Sequence, residues 1–499
     1  MLRKLAAGAL LLTLIISTGA AAQNASTAIS NASRAMGAEG LNSITYSGSA
    51  ANGNFGQSKT IAGPLAMTAI TNYTRAIDLT QPASRASGPT MPPAIPGAPP
   101  PQPGNFNQNI TPANAAWTQQ LEIWVTPWGF LKGAAANNAT VRSERVGGRT
   151  INVVSWMTPQ KSPSGQSYRV NGYINDQNMV ERVETWVEHA VLGDLHVDTA
   201  YSDYRDFGGL KVPARIVQKR ADLTTFEATL TSASANPANI AELLQPPPPA
   251  AGRGGAPGGA PQAAGAAAGR GGAAGGAPPA PTVQSEQLAE GVYRITGGYV
   301  ALAVDFRDHI VVIEGGQNEA RGLAVIAEAR RVIPNKPIRY VVNTHMHFDH
   351  SSGLAPFAAE GITLITHENN KDFLEKALSA PRTLMGDNLA KANRRPRVES
   401  AGDRRVLSDN THTIELLHVR GLEHSDGMLV AYLPKEKIML TADFNVPAEG
   451  QPLNPSITVL RQNVARLGLD VTAHVLVHAP NPDRPVTNAD LVAIPKGTS

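Results

Sequence analysis

The 499-residue chain contains no cysteine. That excludes disulfide scaffolds, cysteine nucleophiles, thiolate zinc fingers, iron–sulfur clusters and lipid attachment through a modified cysteine. Any metal must therefore be held by His, Asp or Glu. Charge of one sign is also lacking: 43 Lys and Arg face 40 Asp and Glu, a formal +3, which argues against a nucleic-acid binder that works by neutralising phosphates. Beyond the first 22 residues no apolar run approaches the length of a membrane-spanning helix. The length itself predicts about three domains, or two with long connections.

Two segments account for much of the unusual composition. Met1-Leu2-Arg3-Lys4 precedes a charge-free run from Leu5 to Ala22 that ends in Ala20-Ala21-Ala22. A basic start, an apolar stretch and a small-residue end are the parts of a secretory signal cut near Ala22–Gln23, so the mature chain is expected to be periplasmic or secreted, with no transmembrane segment. Between Pro246 and Thr282, 33 of 37 residues are Gly, Ala or Pro. With no large apolar side chain, such a segment cannot bury enough surface to offset its ordering entropy and reads as a disordered linker. As a flexible coil it would span roughly 35 Å. The chain thus divides into a signal peptide (1–22), an N-terminal domain (23–245), a linker (246–283) and a C-terminal domain (284–499), and the two folded units are expected to move relative to one another.

The N-terminal domain reads as mostly antiparallel β. Leu121–Val125, Thr150–Val154, Arg182–Trp186 and Ala214–Val217 alternate apolar and polar residues at period two. A short helix is expected near Ala28–Met36, and Pro89–Pro103 carries too much proline for a central strand, so it reads as an exposed loop. In the C-terminal domain the apolar runs Ile310–Ile313, Ile338–Val342, Ile362–Ile365, Met428–Leu433, Ile438–Leu440 and Val475–Val477 mix with helical stretches. One of these is Asn318–Ile333, with Leu323, Ile326, Ala327 and Ile333 on one face, and a second is Val459–Leu467. Strands mixed with helices over this length indicate a layered α/β domain.

At the end of the run Ile338–Val342 stands Asn343-Thr344-His345-Met346-His347-Phe348-Asp349-His350. Alternate residues His345 and His347 leave an extended backbone on the same side and can share one ion. Asp349 and His350, where the chain turns, can face a neighbouring position. With 12 His in the chain, the chance of this pattern arising at random is on the order of a few in ten thousand, so a metal-ligand cluster is strongly favoured over histidines that merely cap a strand. His189, His196, His309, His367, His412 and His418 have no partner at ligand spacing and read as packing or surface residues. His367, directly after a strand, is the one to examine for proximity to the site.

The motif resembles that of the metallo-beta-lactamase superfamily, and residues downstream extend the resemblance across most of the C-terminal domain. It implies an αββα sandwich, two β-sheets flanked by helices, with one or two metal ions at the edge. The first ion would be held by His345, His347 and His424, the last in Gly421-Leu422-Glu423-His424. The second would be held by Asp349, His350 and a final histidine, here His478 in Val475-Leu476-Val477-His478, with His474 as the competitor. Asp443, in Leu440-Thr441-Ala442-Asp443, resembles the family's bridging carboxylate. Successive spacings of 74 residues from His350 to His424, 19 from His424 to Asp443 and 35 from Asp443 to His478 keep the family's order. This chain departs from the family pattern in four places: Glu314 stands where Asp is usual and can orient the ligand loop, Ser352 replaces a common Gly, two residues separate Gly421 from His424 where Gly often directly precedes His, and glycines around His478 are missing. Within the N-terminal domain, Tyr201–Pro213 resembles a strand–turn–strand element of lipoprotein-carrier-type envelope proteins, which implies a lipid or a protein partner; an antiparallel sheet that packs on or orients the C-terminal domain is an equal alternative.

For the C-terminal domain the resemblance implies two Zn2+ ions per chain, with iron and manganese compatible with the same donors. The implied reaction is hydrolysis by a metal-bound hydroxide of an ester, lactone, lactam or related bond in a small molecule, with Asp349 orienting the nucleophile and taking a proton. Two other readings remain open. One is a mononuclear iron dioxygenase acting on sulfur compounds. The other is a non-catalytic envelope protein that binds lipid or a partner and keeps a structural metal site.

Overall fold

A computed structural model describes residues 25–61, 63–94, 100–113, 116–245, 282–446, 455–480 and 483–491. The expected signal peptide and nearly all of the expected linker lie outside these residues. Among the described residues no helix is long and apolar enough to cross a membrane.

The N-terminal domain is built on one antiparallel sheet of eleven strands. From one edge to the other it runs Gly104–Ile110, Ala83–Met91, Met67–Asp78, Ser43–Gly53, Leu223–Ala235, Leu210–Arg220, Gly193–Phe207, Val180–His189, Ser167–Ile174, Arg149–Lys161 and Thr140–Val146. Three of the alternating segments are strands, as expected. Leu121–Val125 is not: it falls in the helix Trp117–Trp124, which buries Trp117, Gln120, Leu121 and Ile123 against the sheet. Spacings of three and four residues set that face, and a five-residue window showed only the alternation. A helix at 25–35 opens the domain. Pro89 lies inside an outer strand paired with the edge strand, so the exposed stretch between the two is shorter than expected. Tyr201–Pro213 is a strand–turn–strand hairpin through Gly208-Gly209. On the helix-covered face, the cavity between Tyr46, Arg75, Glu122, Trp128, Tyr201 and Gln218 holds about 20 Å³, room for a water molecule and far too little for an acyl chain.

The C-terminal domain packs a seven-stranded sheet on a five-stranded one. The first runs Gln284–Ala289, Val292–Thr296, Ala301–Asp305, Ile310–Ile313, Ile338–Val342, Thr363–His367 and Val398–Ala401, and turns from antiparallel to parallel pairing at Ile310–Ile313. The second runs Arg404–Ser408, Thr413–His418, Leu429–Leu433, Ile438–Thr441 and Ala473–Leu476. Strand periodicity serves two cores at once. Val311 and Ile313 face the second sheet, whereas Ile310 and Val312 pack under the helices of the first, and each such buried side chain contributes about 1.5–3 kcal/mol. The expected helix runs from Glu319 to Val332, is capped by Asn318 and buries Arg321, Val325, Ile326 and Ala329. Leu323 and Ala327, expected on the buried face, are exposed, because each lies two residues off the 3.6-residue stripe.

The two domains meet at two patches. Segment 381–387 of the C-terminal domain binds the strand ends of the N-terminal sheet: Asp194 accepts from the Thr383 and Leu384 amides, and Arg382 donates to the Ala190 carbonyl at 2.7 Å. Arg382 and Asp387 form a buried ion pair behind this contact. The second patch lies at the histidine motif. Units read as free to move are thus held together by hydrogen bonds on both sides.

Candidate metal centre

Five of the seven candidate ligands lie in loops that follow a strand, and Asp349 and His350 lie in the short helix Phe348–Ser351 that the loop after Ile338–Val342 leads into. Hydrogen bonds between the two sheets fix these ends: the Leu429 amide donates to the Thr344 carbonyl at 2.8 Å, and the Val300 amide to the Val477 carbonyl at 2.9 Å. Gly353, just after the motif, lies so close to the preceding turn that a Cβ there would come within 2.2 Å of the Gly315 carbonyl oxygen.

The structure brings all seven predicted residues together in two groups. His345, His347 and His424 form one, and Asp349, His350, Asp443 and His478 the other, with the donor atoms of each group lying within 4.8 Å of one another. Asp443 joins them. Its Oδ2 lies 3.3 Å from His345 Nε2, 3.0 Å from His350 Nε2 and 3.5 Å from His424 Nε2, while its Oδ1 lies 3.1 Å from His478 Nε2. Asp443 has φ 60° and Glu314 φ 73°, a left-handed conformation that side-chain-bearing residues adopt at a cost and that clusters at functional sites. His474, the competitor of His478, points elsewhere: its Nε2 lies 2.8 Å from Asn488 Oδ1.

Donor chemistry provides the test for a metal. His345 Nε2, His347 Nδ1, His424 Nε2 and Asp443 Oδ2 are all buried without a hydrogen-bond partner. Buried polar atoms are costly to leave unpaired, and these four converge with lone pairs toward the same space. The residues fit a cation.

Electrostatics agree with crowding of this kind. Burial, reinforced by His350 and His347, pushes His345 well below the usual histidine range, and burial with His424 brings His347 down to about 4. Burial opposes charge on His350 as well, but Asp443 and Glu314 outweigh it and hold a proton there. Asp443 is kept ionised, since His350 and the other imidazoles overcome its burial.

Glu314 is fully buried behind this group. One oxygen accepts from the Thr344 amide at 2.9 Å, and the other lies 3.1 Å from His350 Nδ1, the arrangement that orients a ligating histidine. Residues the sequence reading missed complete the surroundings. Tyr299 donates its hydroxyl to Asp349 Oδ2 at 3.1 Å, and its ring lies 4.3 Å from that of His478. The Tyr299 segment is tied down by buried Arg321, whose guanidinium donates to the Ile295, Thr296 and Tyr299 carbonyls. From the N-terminal domain, Gln57 Nε2 donates to Asp349 Oδ1 at 2.6 Å, and the Ser58 carbonyl lies 2.9 Å from His347 Nε2. No local pattern marks these positions.

The remaining histidines separate. His367 stacks on His418 with ring centres 4.0 Å apart and caps the helix that follows it, outside both groups. His189 packs at the domain contact, 4.6 Å from the Phe348 ring. His196, expected to lack a partner at ligand spacing, meets Asp198 two positions along its own strand and Glu184 from the adjacent one, and the second contact is one that linear spacing does not reveal. Arg182 lies within 3.5 Å of both carboxylates and supplies the positive charge there.

Residues 296–475 match the family model of the metallo-beta-lactamase superfamily. The C-terminal domain has the metallo-beta-lactamase fold. The alpha subunit of a 2,4-dinitroanisole O-demethylase from Nocardioides sp. (strain JS1661) is 23% identical to this chain over 164 residues, covering 33% of this chain and 46% of that subunit. The chain thus spans about half the length of the curated relative it matches. Among solved structures, a metallo-beta-lactamase from Pontibacter korlensis is similar over 42% of this chain and 95% of its own, at 17% identity and a TM-score of 0.33. The DIM-1 metallo-beta-lactamase covers 42% and 94% at 15% identity and a TM-score of 0.33. The family match lies wholly within the metallo-beta-lactamase domain, and the likeness of Tyr201–Pro213 to lipoprotein carriers gains no support from it.

Proposed function

We propose that the chain is an exported, metal-dependent hydrolase that cleaves an ester, lactone, lactam or related bond of a small molecule. The observation that carries this reading is the convergence of seven His and Asp side chains with four buried, unpartnered donor atoms among them. His345, His347 and His424 would hold one ion, and Asp349, His350 and His478 a second, with Asp443 between them. Hard and borderline donors without thiolate suit zinc, and also iron or manganese. A divalent ion bound there lowers the pKa of water toward ~7 and polarises the bond under attack.

The chain's own groups supply orientation and proton handling. Asp349 is kept ionised: burial opposes its charge, but His350, the Gln57 amide and His478 favour it. Tyr299, held protonated above all by burial, donates to one oxygen of Asp349, and Gln57 donates to the other. The carboxylate is thereby aimed, and it orients the attacking water and takes a proton as the intermediate breaks down. Export rests on the basic and apolar pattern of the first 22 residues.

The test is to purify the chain, quantify zinc, iron and manganese, and assay lactam, lactone, phosphodiester, sulfate-ester and nitroaryl methyl ether substrates. The last class is included because the curated relative is an O-demethylase subunit. Two zinc per chain with turnover on one class supports the proposal. One iron per chain supports a dioxygenase, and full metal without turnover supports a binding role. Asp349→Asn is expected to lower turnover sharply, and unchanged turnover and metal content would remove Asp349 from this role.

A further inference from the structure

We propose that the N-terminal domain is a working part of the metal centre, and that its 54–60 loop positions two of the ligands, His347 and Asp349. The inference rests on the metal-dependent reading above and assigns to this domain a role that the family fold does not require.

Phe348 stands between the two ligands in sequence and serves as the anchor. Its ring lies 5.2 Å from that of Phe55 and 4.6 Å from that of His189, edge-on to both, and its amide donates to the Gly56 carbonyl at 3.1 Å. A Cβ on Gly56 would come within 2.1 Å of the Phe348 ring, so only glycine lets the loop lie this close. The tripeptide His347-Phe348-Asp349 is thus gripped from the other domain at its centre and contacted on each side.

The two flanking contacts act on the ligands themselves. A carbonyl oxygen can only accept, so the 2.9 Å contact of Ser58 with His347 requires a proton on Nε2. The Nδ1 lone pair is then free, and Nδ1 is the buried, unpartnered atom of that ring. Ser58 therefore selects the tautomer that presents a lone pair to the first group. Gln57, donating to Asp349 Oδ1 at 2.6 Å, fixes the carboxylate of the second group while Tyr299 of the C-terminal domain holds its other oxygen. Partners of this kind typically account for 10- to 100-fold in metal affinity. Lys59 closes the loop over the site: its carbonyl accepts from the Asp426 amide at 2.9 Å, and its ammonium pairs with Glu423 at 2.9 Å, next to His424.

The experiment measures zinc affinity of the full chain by competition with a chromophoric chelator, alongside thermal unfolding of the metal-free protein. Gln57→Met keeps the length and removes the donor. It is expected to weaken one of the two zinc equivalents about 10- to 100-fold, with metal-free unfolding unchanged. Gly56→Ala forces the loop off Phe348 and is expected to weaken both equivalents. Both variants binding zinc as the wild type does would overturn the inference while leaving the metal-dependent reading intact. A wild-type chain that binds no zinc in the same titration would overturn both.

Discussion

Glu314→Gln tests whether the buried carboxylate sets the state of His350. Glu314 accepts on both oxygens, from the Thr344 amide and from His350 Nδ1. Glutamine has the same shape but only one accepting oxygen. If that oxygen serves Thr344, the new NH2 faces Nδ1, which must then accept, so that any proton the ring keeps is on Nε2. Nε2 is the nitrogen 3.0 Å from Asp443, on the side where the second group converges. If the amide flips instead, two donors meet at Thr344, and a buried unsatisfied group costs about 1–3 kcal/mol. The first arrangement is expected to lower the affinity of one zinc equivalent about 10- to 100-fold, or about 1.4–2.8 kcal/mol at 1.4 kcal/mol per decade. The second is expected to appear as loss of metal-free stability. Chelator competition reads the first and denaturant unfolding of the metal-free chain reads the second. A Glu314→Gln protein equal to wild type in both would refute the assignment, because no placement of a glutamine side chain can accept from both the Thr344 amide and a protonated His350 Nδ1.

Three further outcomes follow from the geometry. His478→Ala is expected to remove one of two zinc equivalents, whereas His474→Ala, which loses the Asn488 contact, should leave zinc stoichiometry at two; metal quantification after dialysis distinguishes them, and the reverse pattern would exchange the two roles. Arg382→Ala leaves Asp387 buried without its partner and breaks the bonds to the Ala190 and Val191 carbonyls, so denaturant unfolding should show a loss of about 3–5 kcal/mol; a loss under 1 kcal/mol would mean that this patch contributes little to holding the domains. Burial first, then Arg220 and Arg382, lowers His189 to about 3, so the unfolded chain binds the extra proton below pH ~6.5 and the folded one does not. Stability should fall by about 1.4 kcal/mol per pH unit between those values, and His189→Asn, whose side-chain oxygen can still accept from the Val191 and Leu192 amides, should flatten the slope; an unchanged slope would place the acid sensitivity elsewhere.

The candidate metal ligands were legible in the sequence because their chemistry is local. Four lie within six residues after an apolar strand, and Asp443 and His478 each follow another such strand, so residue type and strand end together were sufficient. Positions whose role depends on tertiary approach were not. Tyr299, Gln57 and Ser58 are common residue types in turns, and Gln57 meets Asp349 across 292 positions of chain. The helix at Leu121 was hidden for a related reason: its apolar face is set by Trp117, outside the window that showed the alternation. A composition break at 246 stands between the N-terminal sheet and the two C-terminal sheets but says nothing about how their surfaces meet. His347, a candidate ligand in the most conspicuous motif of the sequence, is hydrogen-bonded on its far side to a carbonyl from the other unit. The boundary of the fold and the boundary of the candidate site therefore do not coincide. A fragment cut at the linker would keep all seven candidate metal-binding side chains but lose the groups that contact two of them from the N-terminal domain.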